Sequence, residues 1–281
     1  MTYAITGATG QLGRLVVEKL KAKVGAGEVV ALARSATKGA DLGVAVREFD
    51  YSKPATLAAA LKGVDKLLLI SSSEIGQRAA QHKAVIAAAK AAGVGRIVYT
   101  SLLRADSSPL SLAPEHVETE SDLKASGVAY TILRNGWYHE NSTASAKGAV
   151  AAGALIGSSG DGRISGAARA DYADAAVAAL TDDTHAGKTY ELAGDAAYSR
   201  ADIAAEISRQ SSKTIPYQNL PVADYARALA GFGLPPAFAE VIAGWETHIA
   251  EGVLVDDGKA LSKLIGHPTT PLAAAVEAAL K

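Results

Sequence analysis

Three glycines stand three residues apart near the amino terminus, at Gly7, Gly10 and Gly13, in the run ITGATGQLGRLV. The run follows a short apolar segment, TYAIT, and opens a helical pattern at Gln11. At a strand-to-helix turn this spacing can cradle a pyrophosphate. The first glycine permits the tight turn, the second lets the backbone approach the phosphates, and the third lets helix and strand pack closely. The helix amino terminus adds unpaired N–H groups and a partial positive charge. Glycine is frequent in this chain, 27 of 281 residues, so the spacing alone is weak. Its place on the first strand–helix unit carries the assignment. Gly7, Thr9, Gly10, Gln11, Leu12 and Gly13 are therefore expected to bind a dinucleotide.

The next strand-like run, EVVALA, ends in Ala33-Arg34-Ser35. A site preferring NAD(H) places a carboxylate there for the ribose hydroxyls. Arg34 instead offers a planar fork suited to a 2′-phosphate, and Lys38 lies close in sequence. NADP(H) is the expected cofactor. Asp50 and Tyr51 end the third strand-like run. Ser71, Ser72 and Ser73 end the fourth, and Thr100 and Ser101 the fifth. Ligands of open α/β sheets bind outside the carboxyl ends of the strands, so these residues are candidates for the rest of the cofactor.

The elements that position them read as a strand–helix alternation. Strand-like pieces cover 2–6, 28–33, 44–49, 65–71, 95–101 and 128–134, most of them apolar throughout, as in strands covered on both faces. Helical patterns lie between them, mostly ending in glycine, at Gly63, Gly93 and Gly127. The alternation predicts an α/β fold, a Rossmann-type doubly wound parallel sheet with a smaller, mostly helical C-terminal lobe. Residues 1–136 form the expected NADP-binding domain. Residues 137–281 form a substrate-side lobe over the carboxyl edge of the sheet, with some segments returning to it. In that part 142–152 reads as a helix, 157–168 as a Gly/Ser loop, 171–182 as a helix capped by Asp171, KTYELAG as a late strand and TIPYQ as another.

Catalytic groups are sparse. A Tyr-x-x-x-Lys pair on the helix after the fifth strand would supply a proton donor for carbonyl reduction, but EHVETESDLKAS contains no tyrosine. Tyr130 and Arg134 have the spacing but lie on a strand, where it does not make a helical pair. His116 and Glu120 sit one helical turn apart and could relay a proton, or form a surface pair. Without a positioned acid, the suitable acceptor is electrophilic and planar, such as a quinone or a cationic dye. In LRNGWYHEN, Trp137, Tyr138 and His139 suit stacking on a ring, and Asn141 could orient a carbonyl. Trp137 also fits a core anchor, and His139 a solvated residue.

Several classes are excluded. The chain has no cysteine, hence no disulfide, thiolate metal site or cysteine nucleophile. Its six histidines lack zinc-ligand spacing, and neither a P-loop nor a GxSxG elbow occurs. Net charge is −1 with no basic aromatic run, so no nucleic-acid partner is expected. No apolar run approaches the ~20 residues of a membrane span, and MTYAIT lacks signal-peptide features. A soluble, cytoplasmic protein is expected, with oligomerisation left open.

GATGQLG, LLLISSSEIGQR, YTSLL, EHVETE, LRNGWYHEN, YELAGD and LSKLIGHPTT together resemble the NmrA-like atypical short-chain dehydrogenase/reductases, along essentially the whole chain. Within that family the likeness is greatest to the bacterial quinone-reducing branch, with triphenylmethane dye reductases as near cousins. The resemblance implies NADPH in the cleft of a Rossmann domain, reduction of a quinone or another planar small molecule, and a pocket between the lobes with Tyr138 and Asn141 near the acceptor. It agrees with the missing Tyr/Lys pair. Tyr138 and His116 remain the catalytic candidates. A redox sensor that binds NADP(H) and signals through a partner protein is the alternative.

Overall fold

The apolar runs become strands because their alternate residues bury against helices on opposite faces. In the computed structural model, which describes residues 1–281, six of them are β1 (Tyr3–Ile5), β2 (Val29–Ala33), β3 (Ala45–Glu48), β4 (Lys66–Leu69), β5 (Arg96–Leu102) and β6 (Ala129–Asn135). Between them run α1 (Gln11–Val24), α2 (Leu57–Ala60), α3 (Arg78–Ala91) and α4 (Ala113–Ala125). The sheet order is β3-β2-β1-β4-β5-β6, completed by the strand Thr189–Leu192 beside β6, and every pairing is parallel. The strand order reverses direction between β1 and β4, the crevice where doubly wound folds bind their ligands.

One face of the sheet, with Leu32, Leu67, Leu69, Ile97 and Tyr99, packs on α2, α3 and α4 through Leu57, Val85, Ile86 and Leu123. The other face meets α1 and the helix Arg169–Thr181, which pack on each other and are joined by Lys19 and Asp174 at 2.9 Å. Burying a side chain such as Leu20 or Leu67 contributes roughly 1.5–3 kcal/mol. The two edge strands, β3 and Thr189–Leu192, and the first residues of β6 depart from two-sided burial. Gly63, Gly93 and Gly127 take positive φ where the helical segments end.

Contacts divide the chain into two units. The first comprises Met1–Asp106, Leu112–Asn135 and Arg169–Leu192; the second comprises Ser107–Ser111, Gly136–Ala168 and Ala193–Lys281. Three expectations in the later chain are corrected. The helix read at 142–152 is two short ones, His139–Thr143 and Ala146–Ala152. Thr143 donates back to the His139 carbonyl at 3.1 Å, a bond that bends helices. Asp171 lies inside the first turn of Arg169–Thr181, where its charge meets the helix dipole, and is not the cap. The Gly/Ser stretch contains part of two small ladders: Leu155–Gly157 pairs with Tyr217–Asn219, and Arg163–Ile164 with Tyr198–Ser199. No helix is long and apolar enough to cross a membrane.

Candidate cofactor site

Gly7 leaves β1 with φ +57°, a left-handed turn that a side chain would strain. The turn closes through Gly10 N–H donating to the Gly7 carbonyl at 2.9 Å. A Cβ on Gly13 would stand 2.2 Å from that same oxygen and 2.8 Å from Ala8 Cα. Gly10 caps α1 without a side chain, so no side chain takes the first-turn N–H groups. The cradle therefore has the curvature and donors for a pyrophosphate.

The cradle forms one wall of a cavity of about 620 Å³, lined by Gly7, Lys38 and residues 9–14, 32–35, 49–51 and 70–74. Those segments are the carboxyl ends of β1 to β4 with the start of α1. A volume of this size suits a cofactor. Thr9, Gln11, Leu12, Arg34, Asp50, Ser71, Ser72 and Ser73 all line it. Thr100 and Ser101 do not. Thr100 Oγ1 accepts from Ser71 N–H at 2.9 Å, and Ser101 Oγ donates to Glu120 at 2.6 Å. Both hydroxyls therefore act on protein groups.

Arg34 is 76% exposed at the cavity edge. Lys38 rides on a short 3₁₀ segment, Ala36–Leu42, that Arg14 fastens by bonds to Asp41 at 2.6 Å and to the Lys38 carbonyl at 3.1 Å. Also in the lining, the Tyr51 hydroxyl donates to the Ile70 carbonyl at 2.6 Å and lies 2.6 Å from Thr6 Oγ1. Burial pushes this phenol up, so it remains a neutral donor.

The serine turn is held from behind. Ser72 N–H donates to His82 Nε2 at 2.9 Å, which places the ring proton on Nδ1, facing Thr119 Oγ1 at 3.0 Å. Arg78 Nε donates to the Ser72 carbonyl at 2.7 Å. Burial, with the Arg78 charge, lowers His82 to about 3. His116 is lowered to about 3 by burial, then by Arg78 and His82. The helical spacing of His116 and Glu120 does not make them a relay, nor are they a surface pair. Both are buried; His116 Nδ1 meets Tyr99 OH at 2.7 Å, while Glu120 binds Arg134 and Ser101.

These histidines give the protein an acid sensitivity. Each stays neutral when folded and regains a value near 6.5 when unfolded. Below pH 6.5 the unfolded chain binds protons that the folded chain refuses. Stability is then lost at up to about 1.4 kcal/mol per pH unit per histidine as pH falls toward 3. Between pH 6.5 and 4.5, above the ordinary carboxylate range, the double variant His82→Gln/His116→Gln should show a flatter decline in urea midpoint than the parent. Parallel declines would refute the assignment.

The second unit holds the aromatic segment. Trp137 meets Trp245 edge to face at 6.0 Å, and Trp245 donates to Ser111 Oγ at 3.0 Å. Phe238 also meets Trp245 edge to face, at 6.4 Å. Tyr138 precedes the helix His139–Thr143 and bridges to Ala167. His139 is neither solvated nor presented to a ligand. It is 2% exposed, donates from Nε2 to the Thr270 carbonyl at 2.9 Å and faces Tyr198 OH at 3.0 Å through Nδ1. Asn141 is exposed. Sequence reasoning missed His82, Glu74 and Trp245, while Tyr51, expected with Asp50 at the end of the third strand, does line the cavity. LISSSEIGQRAAQH held the only local hint, a histidine placed to fall behind the serine turn.

Comparisons with known proteins agree with this geometry. Residues 7–183 match the family described as NAD(P)H-binding. Quinone oxidoreductase 2 of Escherichia coli is 55% identical over 276 residues, 97% of this chain and 96% of that one. The Escherichia coli NADPH-dependent quinone oxidoreductase, solved in complex with NADPH, is 54% identical over 100% of both chains with a TM-score of 0.96. The Citrobacter triphenylmethane reductase, solved with NADP(H), is 35% identical over 99% of this chain and 100% of its own, also with a TM-score of 0.96.

Proposed function

The chain belongs to the NAD(P)H-binding family, and from that premise we propose that it is an NADPH-dependent reductase that delivers hydride to quinone-like planar acceptors. The observation that carries the reading is the cavity itself: a glycine cradle at one wall, and Arg34 with Lys38 at the end of β2. The likeness to a quinone oxidoreductase along nearly the whole chain supports the choice of acceptor.

The residues divide the work. Residues 1–136 serve the cofactor: residues 7–13 take the pyrophosphate, Arg34 and Lys38 the 2′-phosphate, Asp50 the adenosine end, and Ser71, Ser72 and Ser73 the remaining hydroxyls. When bound, NADPH supplies a hydride. Residues 137–281 serve the acceptor, with Trp137 and Tyr138 against its ring and Asn141 toward a carbonyl oxygen. Within residues 133–141 Tyr138 carries the one phenol and serves as the proton donor. An electron-poor quinone takes hydride without a positioned acid, and orientation then supplies most of the rate. The enzyme works in the cytoplasm.

The test is oxidation of NADPH with a simple benzoquinone, run beside NADH and an acceptor-free blank, for the parent and Arg34→Glu. The parent should turn over and prefer NADPH. Arg34→Glu should lose at least about tenfold in kcat/KM for NADPH, because a carboxylate then faces the phosphate, while NADH use changes little. Equal losses would remove the 2′-phosphate assignment. NADPH binding without turnover on quinones or dyes would replace the reductase with a dinucleotide sensor.

A further inference from the structure

We propose that Glu74 sets the cofactor preference by competing with the 2′-phosphate for Arg34. The proposal rests on the reading of Arg34 as the 2′-phosphate ligand. Glu74 lines the same cavity as Arg34 and Lys38. Its Oε1 lies 3.8 Å from Arg34 Nη1. The carboxylate is not a loose surface group. Its other oxygen, Oε2, accepts from Gln81 Nε2 at 2.7 Å and from Ser52 Oγ at 3.4 Å. Gln81 is 6% exposed. It also donates to Ser52 Oγ at 3.0 Å. The Glu74 backbone N–H is tied to Ser72 Oγ at 3.2 Å. The protein therefore fixes one carboxylate oxygen and turns the other toward Arg34.

A negative charge held at that place acts in two ways. It occupies the guanidinium that a 2′-phosphate needs, and it repels the phosphate directly. A cofactor without that phosphate meets neither penalty, and its ribose hydroxyls can donate to a carboxylate. Glu74 thus restrains the preference that Arg34 and Lys38 create, and weakens retention of the phosphorylated cofactor.

The test reads binding, not turnover. Adenosine 2′,5′-bisphosphate and adenosine 5′-monophosphate are titrated calorimetrically into the parent, Glu74→Gln, Arg34→Gln and the double variant. Glutamine keeps the size and the hydrogen-bonding reach of Glu74 without its charge. In Glu74→Gln the affinity ratio of bisphosphate to monophosphate should rise about three- to tenfold, and the rise should shrink at high salt. In the Arg34→Gln background the same substitution should leave the ratio nearly unchanged, because the group competed for is gone. No rise in Glu74→Gln overturns the proposal while leaving Arg34 in place. An equal rise in both backgrounds also overturns it, since general charge removal then explains the effect. An unchanged ratio in Arg34→Gln alone overturns the 2′-phosphate reading, and this proposal with it.

Discussion

Gly13→Ala is expected to destabilise the protein by about 2–3 kcal/mol and to remove most of its affinity for NADPH. The added methyl would stand 2.2 Å from the Gly7 carbonyl oxygen and 2.8 Å from Ala8 Cα, closer than any real contact. Both obstacles are backbone, so no rotamer change relieves them. Either α1 withdraws from β1 or the Gly7 turn opens. In the first case Val16, Val17 and Leu20 leave their buried positions. In the second the oxygen that closes the turn by accepting from Gly10 moves away. Either movement displaces the first-turn N–H groups from a pyrophosphate. Gly148→Ala is the matched control: it lies inside Ala146–Ala152 with nothing within 4 Å of the new methyl, and should be neutral or stabilising by up to about 1 kcal/mol. Urea unfolding and a fluorescence titration with NADPH measure both effects. Parent-like affinity in Gly13→Ala would show that the cradle is not where the dinucleotide binds.

The cradle was legible because its chemistry is local. Gly7 and Gly13 are six positions apart in the chain, and one turn brings them together. The strands were legible for a related reason: β1, β2, β4 and β5 are buried on both faces, and two-sided burial writes an unbroken apolar run. The second unit gives no such signal. A two-residue ladder such as Arg163–Ile164 with Tyr198–Ser199 is too short to show a period. His139 illustrates the limit at a single residue. Its neighbours Trp137 and Tyr138 suggested a ligand face, yet its bonds go to Tyr198 and Thr270, 59 and 131 residues away. Glu74 was hidden in the same manner, because what gives it meaning is its distance to Arg34 and not its place after three serines. The motif EHVETE looked like a possible proton relay. Its inward residues, Glu115, His116, Thr119 and Glu120, bind Arg78, Tyr99, His82 and Arg134 respectively. That motif is a structural seam joining α4 to α3 and to the sheet.

Arg134→Met is expected to cost about 3–5 kcal/mol, because it leaves a buried carboxylate without its partner. The Arg134 guanidinium donates to Glu120 from Nε at 2.9 Å and from Nη2 at 2.8 Å, and from Nη1 to Glu191 at 2.7 Å and Asp106 at 3.0 Å. The Arg134 and Glu120 side chains are 8% and 3% exposed, so water cannot replace the donors that Glu120 would lose. Burial alone would raise the Glu120 carboxyl. Hydrogen bonds from Arg134 and Ser101, with the charges of Arg134 and Lys124, more than offset it and hold the group below its ordinary value of 4.5. In the parent, Glu120 therefore stabilises the fold above that value and loses its contribution as pH falls through the depressed one. Arg134→Met reverses the sign. Burial then dominates, the folded carboxyl titrates above 4.5, and the stability deficit should be greatest at neutral pH and shrink on acidification. Glu120→Gln added to Arg134→Met removes the buried charge and should recover a large part of the loss at neutral pH, while flattening the pH dependence of the deficit. Melting curves of the parent, the single and the double variant across the acid range decide the matter. A deficit independent of pH, or a double variant no better than Arg134→Met, would mean that Arg134 contributes packing along β6 and not the neutralisation of Glu120.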